Sequence, residues 1–152
     1  MRIVCAIGAR RGVELIQRIA PIARPSDELV LVHIIDTGPR HDLNHLGGTL
    51  RPHHFQREEL NAAEEDSGRA MLEESVGEAR RLGLNSTTRL ERGRPEQVLV
   101  SMAKELGAQM IVLLAHENPR AHPLQGPPSV GHTARFIIDH ALADVMVLRE
   151  RP

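Results

Sequence analysis

The sequence predicts an α/β fold, an open five-stranded parallel sheet in the order 3-2-1-4-5 with helices on both faces. Two observations lead to the parallel sheet, and the strand order 3-2-1-4-5 is a hypothesis. Five short apolar runs alternate with helix-forming stretches along the 152 residues. Four of these runs are almost continuously apolar, which is typical of strands that helices cover on both faces. Right-handed crossovers between such strands produce a doubly wound sheet. The length predicts one domain, residues 1–152.

The predicted strands differ in how strongly they are buried. The four apolar runs are Ile3–Ile7, Leu29–Ile35, Met110–Leu114 and Val145–Leu148. The third strand, Ser86–Leu90, is polar and alternates, which is the pattern of an edge strand with one covered face.

The first two predicted helices follow the first two strands. The first helix ends or kinks at Pro21, because proline lacks an N–H and clashes with the preceding turn. Its expected inner face is Val13, Ile16, Ile19 and Ala20. The second helix, Phe55–Leu82, is long and charged. Its expected inner face is Leu60, Ala63, Ser67, Ala70 and Met71.

The last two helices and the glycines between elements complete the pattern. We expect one helix over Pro95–Leu106, with proline in its first turn, and another that includes Arg135–Ala141. Gly83 and Gly107 each stand between a helix and a strand, where glycine adopts the left-handed conformation at little cost.

Composition excludes several classes of protein. A formal net charge of −1 gives no broad attraction for nucleic acid or an anionic membrane. Only Phe55 and Phe136 are aromatic, so there is little on which bases could stack. The single cysteine, Cys5, is expected to be an inert core thiol in a reducing compartment. The first apolar run is too short for a signal peptide or a membrane span, which predicts a cytoplasmic protein.

A ligand of an open α/β sheet binds beyond the carboxyl ends of the strands, where the strand order reverses. Here that crevice is expected between strands one and four, with a helix start at its floor. A helix start offers free N–H groups and a partial positive charge to a phosphate. The alternative is that Gly131 only starts a helix. The candidate residues are Ala6, Ile7 and Gly8 on one side, Leu114, Ala115 and His116 on the other, and Gly131, His132 and Thr133 at the floor.

Four segments resemble the universal stress protein family. They are GRPEQVLVSMAKELGAQMIVLLAH (93–116), GHTARFIIDHALADVMVL (131–148), LVLVHIID (29–36) and RIVCAIG (2–8). The resemblance implies a Rossmann-like sheet of the adenine nucleotide alpha hydrolase type. It also implies a homodimer through the last strand, Val145, Met146, Val147 and Leu148. Some members bind ATP or another adenine nucleotide, and the backbone near Ile34 would then contact the adenine.

The chain departs from the nucleotide-binding pattern of that family. Ile7 stands where nucleotide-binding members carry an aspartate, and its side chain cannot accept a hydrogen bond. Ala115 and Asn118 stand where the family's loop motif has glycines. Residues 119–130 form a longer spacer before Gly131 than the motif has. His132 and Thr133 follow Gly131, where the motif has one serine or threonine.

The leading hypothesis is a stress-response binding and sensing module rather than an enzyme. Two alternatives stay open: a subunit that binds a protein partner and no small ligand, and a nucleotide hydrolase or transferase. No metal is expected at the loop histidines His41, His45, His53 and His54, because Gly47, Gly48 and Pro52 interrupt any helix there and no cysteine partner is present. A weaker hypothesis brings His116, His122 and His132 together as a metal, anion or pH-sensitive site. The family resemblance implies that His140, near the end of the last helix, packs toward the sheet.

Overall fold

A computed structural model describes residues 1–8, 11–38, 54–115 and 130–149, with side chains in the second helix from residue 58 onward. Within these ranges the chain forms five strands and four helices that alternate without exception. In chain order they are β1 (Arg2–Ala6), α1 (Gly12–Ile19), β2 (Glu28–Asp36), α2 (His54–Arg81), β3 (Asn85–Gly93), α3 (Pro95–Glu105), β4 (Met110–Leu114), α4 (His132–His140) and β5 (Asp144–Leu148).

The five strands form one parallel sheet in the order β3-β2-β1-β4-β5, as the sequence predicts. β1 lies at the centre, with β2 on one side and β4 on the other. The strand order therefore reverses at β1. The crevice expected from the sequence lies at the carboxyl ends of β1 and β4.

Two apolar layers explain the continuous apolar runs. On one face of the sheet, Ile3, Cys5 and Leu31 pack with residues of α1 and α2. On the other face, Val4 and Val32 pack with residues of α3 and α4. Because successive residues of a strand point to opposite faces, a strand covered on both sides needs apolar residues at every position.

The inner face of α2 differs from the prediction. The residues that turn inward are Gly68, Leu72, Ser75 and Ala79. Leu60, Ala63, Ser67 and Ala70 are exposed, and only Met71 of the predicted set is partly buried. The buried face lies one residue further along the chain. Two of its four members are glycine and serine, so apolar periodicity does not reveal it.

The small residues of α2 allow close packing. A Cβ on Gly12 of α1 would collide with the Ser75 hydroxyl and come within 2.8 Å of Ile7 Cγ2. The Ser75 hydroxyl is satisfied because it donates to the Met71 carbonyl, at 2.8 Å. The contact between α1 and α2 therefore requires glycine on one side and a short side chain on the other.

Local predictions at the ends of elements are mostly confirmed. Gly83 and Gly107 have φ values of 71° and 58°, as expected for glycines that end helices. The last helix begins earlier than the predicted segment and ends before Ala141, which has extended backbone. Cys5 is fully buried, and burial raises the pKa of its thiol to about 12, which leaves it unreactive. None of the helices in the described ranges is long and apolar enough to cross a bilayer.

Candidate functional site

The candidate site lies where β1 ends. Ile7, one residue past the strand, donates its N–H to the Val32 carbonyl at 2.7 Å. On the other side of the opening, Ala115 donates its N–H to the Leu148 carbonyl at 2.8 Å, which extends β4 by one residue toward β5. Within the described residues, β1 and β4 end at this edge of the sheet. The carboxyl ends of β1 and β4 are neighbours at the reversal of strand order, which is where the sequence predicts the opening.

The predicted site residues of the strands do not all face the same way. Ala6 and Ile34 pack with the layer formed by α3 and α4. Ile7 and Leu114 pack with the opposite layer, and Ile7 is only 3% exposed. The start of α4 therefore shares a layer with Ala6 and Ile34 but not with Ile7. At the aspartate position of the family pattern, this chain has a core side chain.

The backbone of Ile34 is directed toward the opening. In a parallel ladder, the N–H and C=O of one residue point to the same side, and successive residues alternate. Glu28 donates to the Met1 carbonyl and Val32 accepts from Ile7, so even-numbered residues of β2 face β1. Thr37 donates to Gly93, so odd-numbered residues face β3. Ile34 therefore faces the β1 side, beyond the end of β1.

A histidine that the sequence analysis did not single out shapes this end of the ladder. The next regular step would join the Ile34 N–H to the Ile7 carbonyl. Instead that carbonyl accepts a hydrogen bond from His33 Nδ1, at 2.8 Å. Within the described residues, no backbone hydrogen bond joins Ile34 to the end of β1. The Ile34 N–H and C=O thus present a donor and an acceptor side by side.

Gly68 explains how the His33 ring fits beneath α2. A Cβ on Gly68 would lie 2.7 Å from His33 Cδ2 and 2.9 Å from Leu90 Cδ1. Both distances are too short for a real side-chain contact, so a larger residue would displace the ring or the leucine. The only sequence signal was a glycine inside a helix, which costs about 1 kcal/mol relative to alanine and often has a packing reason.

The start of α4 forms the other wall. Gly131 precedes the helix with φ 88° and ψ 166°, a conformation that side chains disfavour strongly. The N–H groups of the first helical turn have no intrahelical acceptor. Thr133 is half-buried in that turn, and Ala134 is buried behind it. This helix start can hold an anion of modest size through backbone N–H groups and one hydroxyl.

His132 lies closer to α3 than to the opening. Its Nε2 is 3.7 Å from the Glu96 carboxylate, too far for a hydrogen bond but close enough for attraction when the ring is protonated. Its ring is also tilted against Phe136, with centroids 6.5 Å apart. The Glu96 carboxylate partly offsets the positive end of α4, which limits the charge that the site can accommodate.

His140 does not pack toward the sheet, contrary to the sequence-based expectation. It is exposed, its ring stacks on Phe136 with centroids 4.1 Å apart, and Nδ1 donates to the Phe136 carbonyl at 2.8 Å. The histidine therefore caps the surface of the helix end, where a last-turn cation is favourable.

The remaining histidine hypotheses fall outside the described structure. His116 and His122 lie outside the described ranges, as do the loop residues His41, His45 and His53, and nothing describes the side chain of His54. Among the described residues, no group of three or more potential metal ligands comes together.

Comparison with known proteins agrees with the architecture. An open parallel α/β sheet with an opening at its reversal point defines a broad class of ligand-binding folds. Within that class, the chain belongs to the universal stress protein family, whose model matches residues 1–149. Comparison with curated protein sequences gives no match.

Several solved structures share the fold at low sequence identity. The hypothetical protein MJ0577 is 16% identical with a TM-score of 0.73, and the alignment covers 99% of this chain and 96% of that one. A universal stress protein family member from Arabidopsis thaliana, solved with AMP bound, is 15% identical with a TM-score of 0.65 and coverages of 99% and 92%. A universal stress protein in complex with cAMP is 16% identical with a TM-score of 0.62 and coverages of 97% and 95%.

Proposed function

We propose that this chain is a stress-response binding and sensing module that takes an adenine nucleotide at the opening between β1 and β4. One observation carries the proposal. The Ile34 N–H and C=O point to the β1 side of β2, and the N–H is not paired with the Ile7 carbonyl, which accepts from His33 Nδ1. Adenine presents a ring nitrogen acceptor beside an amino donor, which complements this pair of backbone groups. The AMP and cAMP complexes of the neighbouring structures support the same class of ligand.

The proposed ligand carries one phosphate rather than three. The start of α4 supplies backbone N–H groups and Thr133, which suit one phosphate. Glu96, whose side chain is 13% exposed, lies on the neighbouring helix near His132 and opposes further negative charge. Ile7 is buried and gives the ribose no polar partner. These features favour AMP or cAMP over ATP.

Calorimetric titration tests both ends of the site. We expect AMP or cAMP to bind more tightly than ATP, and GMP to bind least, because guanine reverses the donor and acceptor pattern. Thr133→Val is nearly isosteric and should weaken the affinity for AMP by about fivefold, because it removes one hydrogen bond to the phosphate. The affinity for adenosine should be unchanged. His33→Leu should weaken AMP and adenosine alike, because Ile34 can then bond to the Ile7 carbonyl. Equal affinity for AMP and GMP would contradict an adenine site.

The homodimer is proposed through the exposed edge of β5. Asp144 donates to the Gln109 carbonyl and Leu148 accepts from Ala115, so even-numbered residues of β5 pair with β4. Val145 and Val147 therefore direct their backbone groups outward, where a second copy can pair with them.

A proline scan along β5 tests this interface. Val147→Pro removes an outward N–H and is expected to give a folded monomer on a sizing column. Met146→Pro is the matched control, because it removes an N–H that faces β4 and should damage the sheet itself. An unchanged dimer for Val147→Pro would exclude this edge as the interface.

The alternative is a subunit that binds a protein partner and no small ligand, and one observation favours it. Ile7 and Ala115, which stand at two positions of the family's nucleotide-binding pattern, are only 3% and 2% exposed and provide no polar side chain for a ligand. Native mass spectrometry of protein purified from cells separates the alternatives, since it reports bound nucleotide and subunit number together. Against a hydrolase, we expect no nucleotide turnover. Turnover that His132→Ala abolishes would establish an enzyme instead.

A further inference from the structure

A second feature of the molecule lies at the β3 edge of the sheet. It is a groove of about 650 Å³ between α2 and the edge strand β3, which we call the edge groove. Its floor is apolar and its rim is charged or polar. Its lining residues are Arg69, Leu72, Glu73, Val76, Gly77, Arg80, Thr88 and Leu90. Thr88 and Leu90 belong to β3, and the other six belong to α2.

The backbone of β3 is open along this groove. The Gly93 carbonyl accepts from Thr37 of β2, so odd-numbered residues of β3 face β2 and even-numbered residues face outward. Thr88 and Leu90 therefore direct their N–H and C=O groups away from the sheet. In the described part of the chain, no backbone group pairs with them. Such an edge is a template for one more strand.

The charges on the rim of the edge groove favour an acidic ligand. Arg69 contacts Glu65 only at 4.0 Å, and that carboxylate makes a much shorter bond, 2.7 Å, to Arg92. Arg80 takes part in none of the ion pairs among the described residues. Glu73 is the single acidic side chain lining the groove, so the rim carries a net positive charge.

The two arginines also set a spacing. Arg69 and Arg80 are eleven positions apart on one helix, a separation that returns to the same face and spans about 16 Å. In an added strand, groove-facing residues at positions i and i+4 lie about 13 Å apart, which long arginine side chains can bridge. The residue between them, i+2, would sit above the apolar floor of Leu72, Val76 and Leu90.

We propose that the edge groove docks an extended segment of a partner protein, which adds to the sheet beside β3. In this partner segment, the residues that face the groove are acidic, apolar and acidic at alternate positions. The charged side chains of β3, exposed Arg89 among them, discourage unselective strand pairing and so favour a partner of complementary charge.

The test uses the full chain and a capped peptide, Glu-Thr-Val-Thr-Glu, with Lys-Thr-Val-Thr-Lys as the matched control. Fluorescence anisotropy measures affinity, and nitrogen-15 amide spectra locate the contact. We expect the acidic peptide to bind more tightly than the basic one and to protect the Thr88 and Leu90 amides from exchange. The double variant Arg69→Glu, Arg80→Glu should bind the acidic peptide about tenfold more weakly and should prefer the basic peptide.

Proline variants separate docking from folding. Thr88→Pro removes an outward N–H and should weaken the peptide by about fivefold or more with the sheet intact. Thr87→Pro, one residue earlier, should destabilise the protein, because that N–H faces β2. Three outcomes would overturn the proposal. The two peptides could bind equally well, the amide shifts could lie away from β3, or β3 could pair with a second copy of the chain in place of the peptide.

Discussion

A comparison of two glycines in one helix tests the packing that positions His33. Gly68 and Gly77 both lie inside α2. A Cβ on Gly77 would meet nothing within 4 Å, whereas a Cβ on Gly68 would lie 2.7 Å from His33 Cδ2. The same substitution, glycine to alanine, therefore gains the same helix propensity at both sites and meets an obstacle at only one.

The magnitudes follow from these distances. Alanine in a helix interior is favoured over glycine by about 1 kcal/mol, so Gly77→Ala should stabilise the protein by about that amount. At Gly68 the same gain is offset by overpacking, which costs roughly 1–3 kcal/mol. His33 cannot move away freely, because its Nδ1 is bonded to the Ile7 carbonyl. The two variants should differ by about 2 kcal/mol in the free energy of unfolding.

Urea unfolding followed by far-ultraviolet circular dichroism measures this difference. The chain has no tryptophan or tyrosine, so intrinsic fluorescence is unsuitable. With a typical slope for urea unfolding, about 2 kcal/mol separates the two midpoints by roughly 1 M. If Gly68→Ala is as stable as Gly77→Ala, Gly68 does not confine the His33 ring.

Three further outcomes follow from the core, from one ion pair and from the β5 edge. Leu15→Ala should lower the free energy of unfolding in urea by about 2–5 kcal/mol, because Leu15 is fully buried. Leu142→Ala is the control: its side chain is 87% exposed, so the free energy of unfolding should change by less than about 0.5 kcal/mol. Hydrogen bonding from Arg81 lowers the pKa of Glu78 from 4.5 to about 2 in the folded state. Its contribution to stability should thus be complete above pH 4.5 and lost as the pH falls through about 2, so Glu78→Gln should flatten the stability profile in that window. Val147→Pro should convert the proposed dimer to monomer on a sizing column with unchanged circular dichroism. A destabilised protein would contradict the outward direction of that N–H.

The candidate site was only partly predictable from the sequence. Strand order and the family resemblance located the opening and led to Ala6, Ile34 and Gly131. The role of His33 was not predictable, because it depends on whether a ring nitrogen or the next backbone N–H reaches the Ile7 carbonyl. The contact of His132 with Glu96 likewise joins two helices that are distant in sequence.

The inner face of α2 shows a different limit. Apolar periodicity marks a helix face only when the buried residues are apolar and large. Here Gly68 and Ser75 are buried because the helix approaches β2, β3 and α1 closely. A pattern of hydrophobicity cannot distinguish a small residue that lets two elements pack closely from a small residue on a solvent-exposed face.

The sequence by itself determined the class of fold, the edge position of β3 and the glycines that end the helices, whereas the structure established the strand order. These features depend on local conformational preference and on burial patterns that every residue of a strand reports. Only the tertiary structure decided which backbone groups remain available, at Ile34 beside the opening and at Thr88 beside the edge groove. Availability depends on where a neighbouring strand stops, which is a property of two segments together.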